Sequence, residues 1–454
     1  MSASDVMVTS KTVDLTNCDQ EQIQYAGAIQ PHGALLVIQE PELRVLQASR
    51  NTANLLGVGA EELAGGVLQS LLTEQQIFQL RACLEREKLE GAPVHVGRWQ
   101  FDGGDFDVLV HRHDQVVILE LEQRPENAGR SVLELYADLQ NAISKLEATA
   151  SLQPFLDIAA QQIRFLTGFD RVMIYKFMED DSGWVRSEAL TEGMDSYLGL
   201  HYPPSDIPAP ARRLFSLTWV RHQPDISYTP VPIFPETNPL TGGPLDMSYA
   251  LLRSVSIMYV DYLKNMGTSA SLVMTLLKNA KLWGLVACHH HTGPRHVPYE
   301  VRVACELLAH MISLLISAKE ELENHEYRMK LKSTQMKMVE KISLRGDFVS
   351  GFIQDSPNLL DFVNADDAAT AINGQIVSVG RTPSEDEMEE IVHWLSSATP
   401  QHVFATDCLS ALLPQAEGFK DRCAGTFGPT LLSSEGRLYS LVSTGGSPDR
   451  QLGG

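Results

Sequence analysis

Between residues 26 and 124 the apolar positions come in short blocks that alternate with polar ones or run continuously for four to six residues, the pattern of β-strands. Ala34-Leu-Leu-Val-Ile38 and Leu43-Arg-Val-Leu-Gln47 read as strands joined through the Glu40-Pro-Glu42 turn. Val94-His-Val-Gly-Arg-Trp-Gln100, Phe106-Asp-Val-Leu-Val-His111 and Val116-Val-Ile-Leu-Glu-Leu121 continue the series, and Arg124-Pro-Glu-Asn-Ala-Gly129 reads as a linker. Beyond it the period changes. Helical spacing runs from Leu133 to Leu152 and again from Pro154 to Leu166, followed by the strand Arg171-Val-Met-Ile-Tyr-Lys-Phe177. Two more strands, Ser271 to Leu277 and Leu282 to Cys288, close this second domain. Residues 203–250 are rich in proline and glycine, which predicts a long irregular insertion; ordered insertions of that length are usually functional.

Pro298 is placed to open a helix, after which apolar residues recur three and four apart at Val303, Leu307, Met311, Leu314, Leu315 and Leu322. A helix reaching about Ile342 exceeds the usual globular length, so it reads as a coiled-coil dimer stripe or a rigid connector. After Asp355 the chain is acidic and alanine-rich, with a strand predicted over Gln375 to Val379 and a helix over Ser384 to Ser396. After Gly425 the text is Thr426-Phe-Gly-Pro-Thr-Leu-Leu432 and then polar residues to Gly454.

At 454 residues the chain is too long for one ordinary core and reads as three domains. Hydrophobic residues make up 44% and charged residues 20%, the balance of a packed protein. The formal charge of −21 argues against direct binding to nucleic acid or to an anionic membrane surface. No leader-like start and no stretch of membrane-spanning length are read, so the expectation is a cytoplasmic protein. The six cysteines, Cys18, Cys83, Cys288, Cys305, Cys408 and Cys423, lack paired spacing. They predict neither a disulfide framework nor a zinc ribbon, and most read as buried hydrophobes.

Four separated strings carry the candidate chemistry. Pro203-Pro-Ser-Asp-Ile-Pro208 holds one carboxylate, Asp206, in a segment whose prolines keep the backbone extended. By residue type alone Asp206 is equally a helix cap ahead of Pro208. Cys18 alone, ahead of Ile29-Gln-Pro-His-Gly33, is an incidental thiol. Tyr262-Leu-Lys-Asn-Met-Gly267 and Leu282-Trp-Gly-Leu-Val-Ala-Cys-His-His290 are the other two. Cys288-His289-His290-His291 invites a metal reading, but strand alternation puts only two of these side chains on each face. No metal site is expected.

Taken together the four strings closely resemble the photosensory core of bacterial phytochromes, from about Asp14 to Ile342. That resemblance implies an α+β chain with mixed or antiparallel sheets: a segment 1–25 bearing the attachment cysteine, a PAS domain over 26–124, a GAF domain over 130–318, and a connecting helix with an incomplete, GAF-like PHY domain over 319–454. It implies a light sensor without kinase output that holds biliverdin IXα through a thioether to Cys18. The branch that uses phycocyanobilin attaches it through a GAF cysteine, and the matching position here is Met258. The Asp206 backbone carbonyl would accept from the pyrrole N–H groups while its side chain faces the PHY tongue, with Ile207, Pro208 and Ser256 also in the site. Arg221 and Arg253 would anchor the propionates, one of them also bonded by Ser271, and Tyr175, Tyr202 and Tyr262 would form the pocket walls, with Tyr197 close by. His289 would bond the D-ring carbonyl. Double-bond isomerisation would be relayed along the long helix to a separate output protein, the helix also joining a homodimer.

Two departures stand out. Ser256-Ile-Met-Tyr259 puts Tyr259 where the family has a histidine, which implies altered chromophore protonation. The PHY-like pattern breaks off after Gly425 and the Pro-Arg-X-Ser-Phe motif of the PHY tongue does not occur, which implies truncation or an out-of-frame tail and a poorly stabilised photoproduct. A non-switching fluorescent relative is the nearer alternative. A GAF scaffold for dimerisation or for a cyclic nucleotide is the other, and it would have no use for Cys18 and Asp206.

Overall fold

The computed structural model describes residues 13–14, 17–86, 89–125 and 131–345, and after them 356, 358–363, 367–372, 375–380, 382–398, 403–406, 409–419, 426–433 and 436–443. Most of the linker 124–129 and the residues Cys408, Cys423 and 444–454 lie outside the described residues. Two compact units divide the chain, Met1–Lys319 and Glu320–Gln451, the first also counting Leu452–Gly454.

Among the described residues the first unit carries thirteen strands: β1 (Ala28–Ile29), β2 (Gly33–Gln39), β3 (Arg44–Ser49), β4 (Val94–Phe101), β5 (Gly104–His113), β6 (Val116–Gln123), β7 (Arg171–Phe177), β8 (Gly183–Leu190), β9 (His201–Tyr202), β10 (Val220–Gln223), β11 (Val231–Phe234), β12 (Ala270–Lys278) and β13 (Lys281–His290). Its helices are α1 (Thr52–Leu56), α2 (Ala60–Leu63), α3 (Glu74–Arg86), α4 (Val132–Glu147), α5 (Leu152–Thr167), α6 (Ala209–Leu217), α7 (Ile257–Asn265) and the start of α8 (Tyr299–Arg345). The strands form two antiparallel sheets, β1-β11-β3-β2-β6-β5-β4 and β10-β12-β13-β7-β8-β9.

The strand and helix expectations hold closely, β7 to the residue. The helical spacing over Leu133 to Leu166 is divided between α4 and α5, and Ser131 and Glu134 cap the start of α4 reciprocally. The insertion is more ordered than its proline and glycine content predicts. Its strand β11 leaves the second domain and adds to the first sheet, with Ile233 opposite Ser49 and Phe234 opposite Ala48.

Both faces of the second sheet are apolar. Val172, Ile174, Leu272, Met274, Val286 and Cys288 point into a core closed by α5 and by Cys305, Leu308 and Ile312 of α8. Their strand neighbours Met173, Tyr175, Val273, Leu285 and Ala287 point the other way. Gly284 on β13 is required by close approach, since a Cβ there would lie 2.2 Å from the Tyr175 carbonyl oxygen. Gly284→Ala is expected to destabilise the first unit by about 3 kcal/mol, the upper end of ordinary overpacking, because the obstacle is backbone; urea denaturation reads it.

By length and composition a window of α8 is apolar enough to cross a bilayer, which corrects the sequence expectation, but half of that window is buried. Its Ala304, Ala309 and Ile316 pack in the core just described.

The second unit holds α9 (Leu359–Val363), β14 (Asp367–Ile372), β15 (Gln375–Val379), α10 (Glu385–Ala398), β16 (Val403–Thr406), β17 (Thr426–Ser433) and β18 (Gly436–Ser443). Its sheet runs β15-β14-β18-β17-β16, and Met388, Ile391 and Leu395 of α10 pack with Ala369, Leu409 and Phe419. Strand β17 takes up the Thr426 to Leu432 run, and β18 occupies text that reads as polar.

Candidate functional site

The second face of the β10-β12-β13-β7-β8-β9 sheet floors a cavity of about 360 Å³. Met173, Tyr175, Val185, Val273, Leu285 and Ala287 supply an apolar floor, and α6, α7 and the 204–208 turn form the other walls. Gly183 leaves room for the Tyr175 ring, whose atoms a Cβ there would overlap.

The N-terminal segment closes one side. Cys18 opens a short 3-10 turn, Cys18–Gln20, that packs on α6, and it is the one cysteine among the described residues lining the cavity. The segment is tied down by backbone pairing: Gln30 N–H donates to the Leu252 carbonyl at 2.8 Å, and Ser254 N–H to that of Ala28 at 3.0 Å. Glu21 accepts a 2.6 Å hydrogen bond from Ser256 Oγ, and burial raises its carboxyl above the ordinary range. These bonds hold the Cys18 thiol at the cavity edge.

Two arginines lie beside it. Arg221 on β10 donates to the Ala250 carbonyl at 2.6 Å and to that of Arg253 at 3.2 Å. Arg253 donates through Nη1 to the Ile23 carbonyl at 3.0 Å, while its buried Nε has no hydrogen-bond partner. Burial, reinforced by the neighbouring Arg221 charge, pushes the Arg253 pKa well down. Two buried guanidiniums side by side, one incompletely bonded, form an anion-binding wall.

Asp206 ends the 3-10 turn Pro204–Asp206 and makes no capping bond to α6, whose cap is Pro208. The cap reading therefore falls, and the carboxylate lines the cavity with Ile207 and Pro208. Burial raises its pKa. Tyr175, Tyr202 and Tyr262 gather around it, each phenol pushed up first by burial and further by the Asp206 charge. Tyr197 is absent from the lining and instead stacks under the Arg171 guanidinium, 3.7 Å from its ring centroid.

On the α7 wall, Tyr259 lines the cavity and its hydroxyl lies 3.2 Å from Ser271 Oγ. Ser271, on β12 and fully buried, supports Tyr259 from behind and does not itself line the cavity. His289 on β13 does; burial keeps its ring neutral, with a pKa lowered to about 3, and Nδ1 has no hydrogen-bond partner. Strand alternation separates the Cys-His-His-His string as read. Cys288 goes to the core, and His290 pairs with Asp170 at 3.0 Å.

Twelve of the fourteen site residues named from the sequence thus meet in one cavity, Ser271 and Tyr197 being the exceptions. Glu21 and Gln223, also in the lining, were missed. Nothing in a polar N-terminal run marks Glu21, and Gln223 sits on a strand too short to show alternation.

Family comparisons fall on the same elements. A PAS fold model matches residues 18–124, a GAF domain model 151–316, and a phytochrome region model 331–439. The solved photosensory core module of a Stigmatella aurantiaca phytochrome matches with 39% identity and a TM-score of 0.75, over 95% of this chain and 86% of that one. The chain belongs to the phytochromes. A bacteriophytochrome structure from R. palustris matches at 35% identity and a TM-score of 0.78, over 94% and 86% of the two chains. Cyanobacterial phytochrome B of Nostoc sp. is 41% identical over 463 residues, covering all of this chain and 61% of its own length. The chain therefore spans about three fifths of that relative. The phytochrome region extends through β17 into β18, past the Gly425 at which the PHY-like sequence pattern breaks off.

Proposed function

We propose that this phytochrome chain is the light-sensing part of a red-light photoreceptor, holding biliverdin in the cavity through a thioether to Cys18. The observation that carries the reading is the convergence of one thiol, two buried arginines, one of them with an unpartnered Nε, and an apolar floor in a single cavity. A bilin supplies the red absorption, a conjugated vinyl group for the thiol and a double bond that isomerises in light. The residues present fit it: Arg221 and Arg253 suit paired propionates, and the unpartnered His289 Nδ1 suits a polar group at the far ring. Met258 lines the cavity but cannot form a thioether, which leaves Cys18. The site binds and positions; we assign it no catalytic reaction of its own.

A homodimer is part of the proposal. Val132, Leu133 and Tyr136 of α4 and Val303, Leu307 and Leu314 of α8 are exposed apolar residues at helical spacing, the composition of a helix-pairing face. The signal would pass along α8.

Illumination of the biliverdin complex with red light tests the function. A reversible shift of the absorption band is the expected result; a band that only fluoresces or bleaches would favour the non-switching alternative, which Tyr259 on the α7 wall keeps in view. Arg253→Gln, placed in a Cys18→Ser background so that binding is reversible, is expected to weaken biliverdin affinity roughly ten- to hundredfold, the value of one charge-assisted hydrogen bond. An absorbance titration reads it.

A further inference from the structure

Away from the bilin cavity, His32, Glu122 and His296 bring three ligand-type atoms within 4.8 Å of one another. His32 is in the turn before β2, Glu122 on β6 and His296 between β13 and α8, so the first domain supplies two of the groups and the second supplies one. Glu122 is 2% exposed. Its Oε2 accepts from Arg302 Nη2, while Oε1 makes no hydrogen bond and faces His296 Nε2 at 3.4 Å and His32 Nε2 at 3.8 Å. Neither ring nitrogen of His296 has a hydrogen-bond partner.

We propose that these three residues bind a zinc ion that pins the seam between the PAS and GAF domains. Zinc takes imidazole nitrogen and carboxylate oxygen at about 2.0–2.2 Å, which sets neighbouring ligand atoms of a tetrahedral site about 3.4 Å apart. The two Glu122 separations, 3.4 and 3.8 Å, already lie at or near that value, and no two of the ligand atoms are more than 4.8 Å apart. Arg302 holds Glu122 through one oxygen and leaves the other directed at the histidines, the way an outer hydrogen bond orients a ligating carboxylate. Its charge also tempers affinity, so binding is expected in the micromolar range rather than tighter. His222, whose ring is 5.7 Å from that of His296, is not a ligand: Nδ1 bonds the Ser271 carbonyl and Nε2 accepts from Val297 N–H. The partial exposure of His32 and His296 leaves a path for the ion and a water in the fourth position.

The test is zinc titration of the tag-free, chelator-stripped chain without bilin, whose pyrrole nitrogens could themselves hold zinc. Binding is read by competition with a chromophoric chelator. One equivalent of zinc is expected, with affinity falling more than about tenfold in both His296→Gln and Glu122→Gln and unchanged in His310→Gln, a control for surface histidine. Glu122→Gln removes the charge that holds Arg302; His296 is half-buried at the surface, so His296→Gln gives a reading even if the first variant misfolds. Failure to bind one equivalent, or binding that His296→Gln leaves intact, overturns the proposal.

Discussion

Cys18→Ser is expected to abolish covalent attachment completely while leaving reversible colour. The thiol is the nucleophile that adds to the vinyl group, and a serine hydroxyl is far too weakly acidic to replace it. The other contacts remain, since the turn 18–20 packs on α6 and is tethered by Glu21 to Ser256 and by Ile23 to Arg253. Biliverdin should therefore still bind, and denaturation should strip all of it from the variant and none from the parent. Colour that stays with the denatured Cys18→Ser chain would mean that another group forms the bond.

Tyr259→His is expected to give the holoprotein a titration that the parent lacks. Burial raises the Tyr259 phenol above its ordinary value of about 10, so it stays neutral from pH 6 to 9 and contributes no pH dependence there. An imidazole titrates about 3.5 units lower before burial lowers it further. The folded pKa of the new histidine thus lies on the acid side of neutrality. As pH falls through it, a cation appears beside Arg221 and repels a protonated tetrapyrrole. The red band of the variant should change below about pH 6.5 and hold steady above it, while the parent stays flat. Absorbance against pH checks both, and a matching acid titration in the parent would show that Tyr259 does not set the difference.

How much was legible from the sequence followed from how local each signal is. The strands of the first domain, β7 and α8 were readable because period and turn chemistry reside within one segment. The cavity residues were readable through the four strings, which fix positions by resemblance rather than by physics. The two faces of the second sheet were not separable, since Val172 and Met173, or Val286 and Ala287, are equally apolar and alternation shows nothing when both sides are buried. Strand β11 joining the sheet of another domain left no local trace, because a short Val-Pro-Ile-Phe run reads as loop in a proline-rich insertion. The His32, Glu122 and His296 cluster was invisible for the same reason, its members being brought together only by the fold. Strand β18 carries serines, a glycine and an arginine among its apolar residues, which masked it as polar text.

The central claim is that this cavity holds one biliverdin, and the most direct measurement is an absorbance titration of the unliganded chain with biliverdin, followed by denaturation. The account requires a red band that saturates at one equivalent and remains with the unfolded chain. Absence of a bound band would contradict the account, since the thiol, arginines and apolar floor would then have converged on some other ligand.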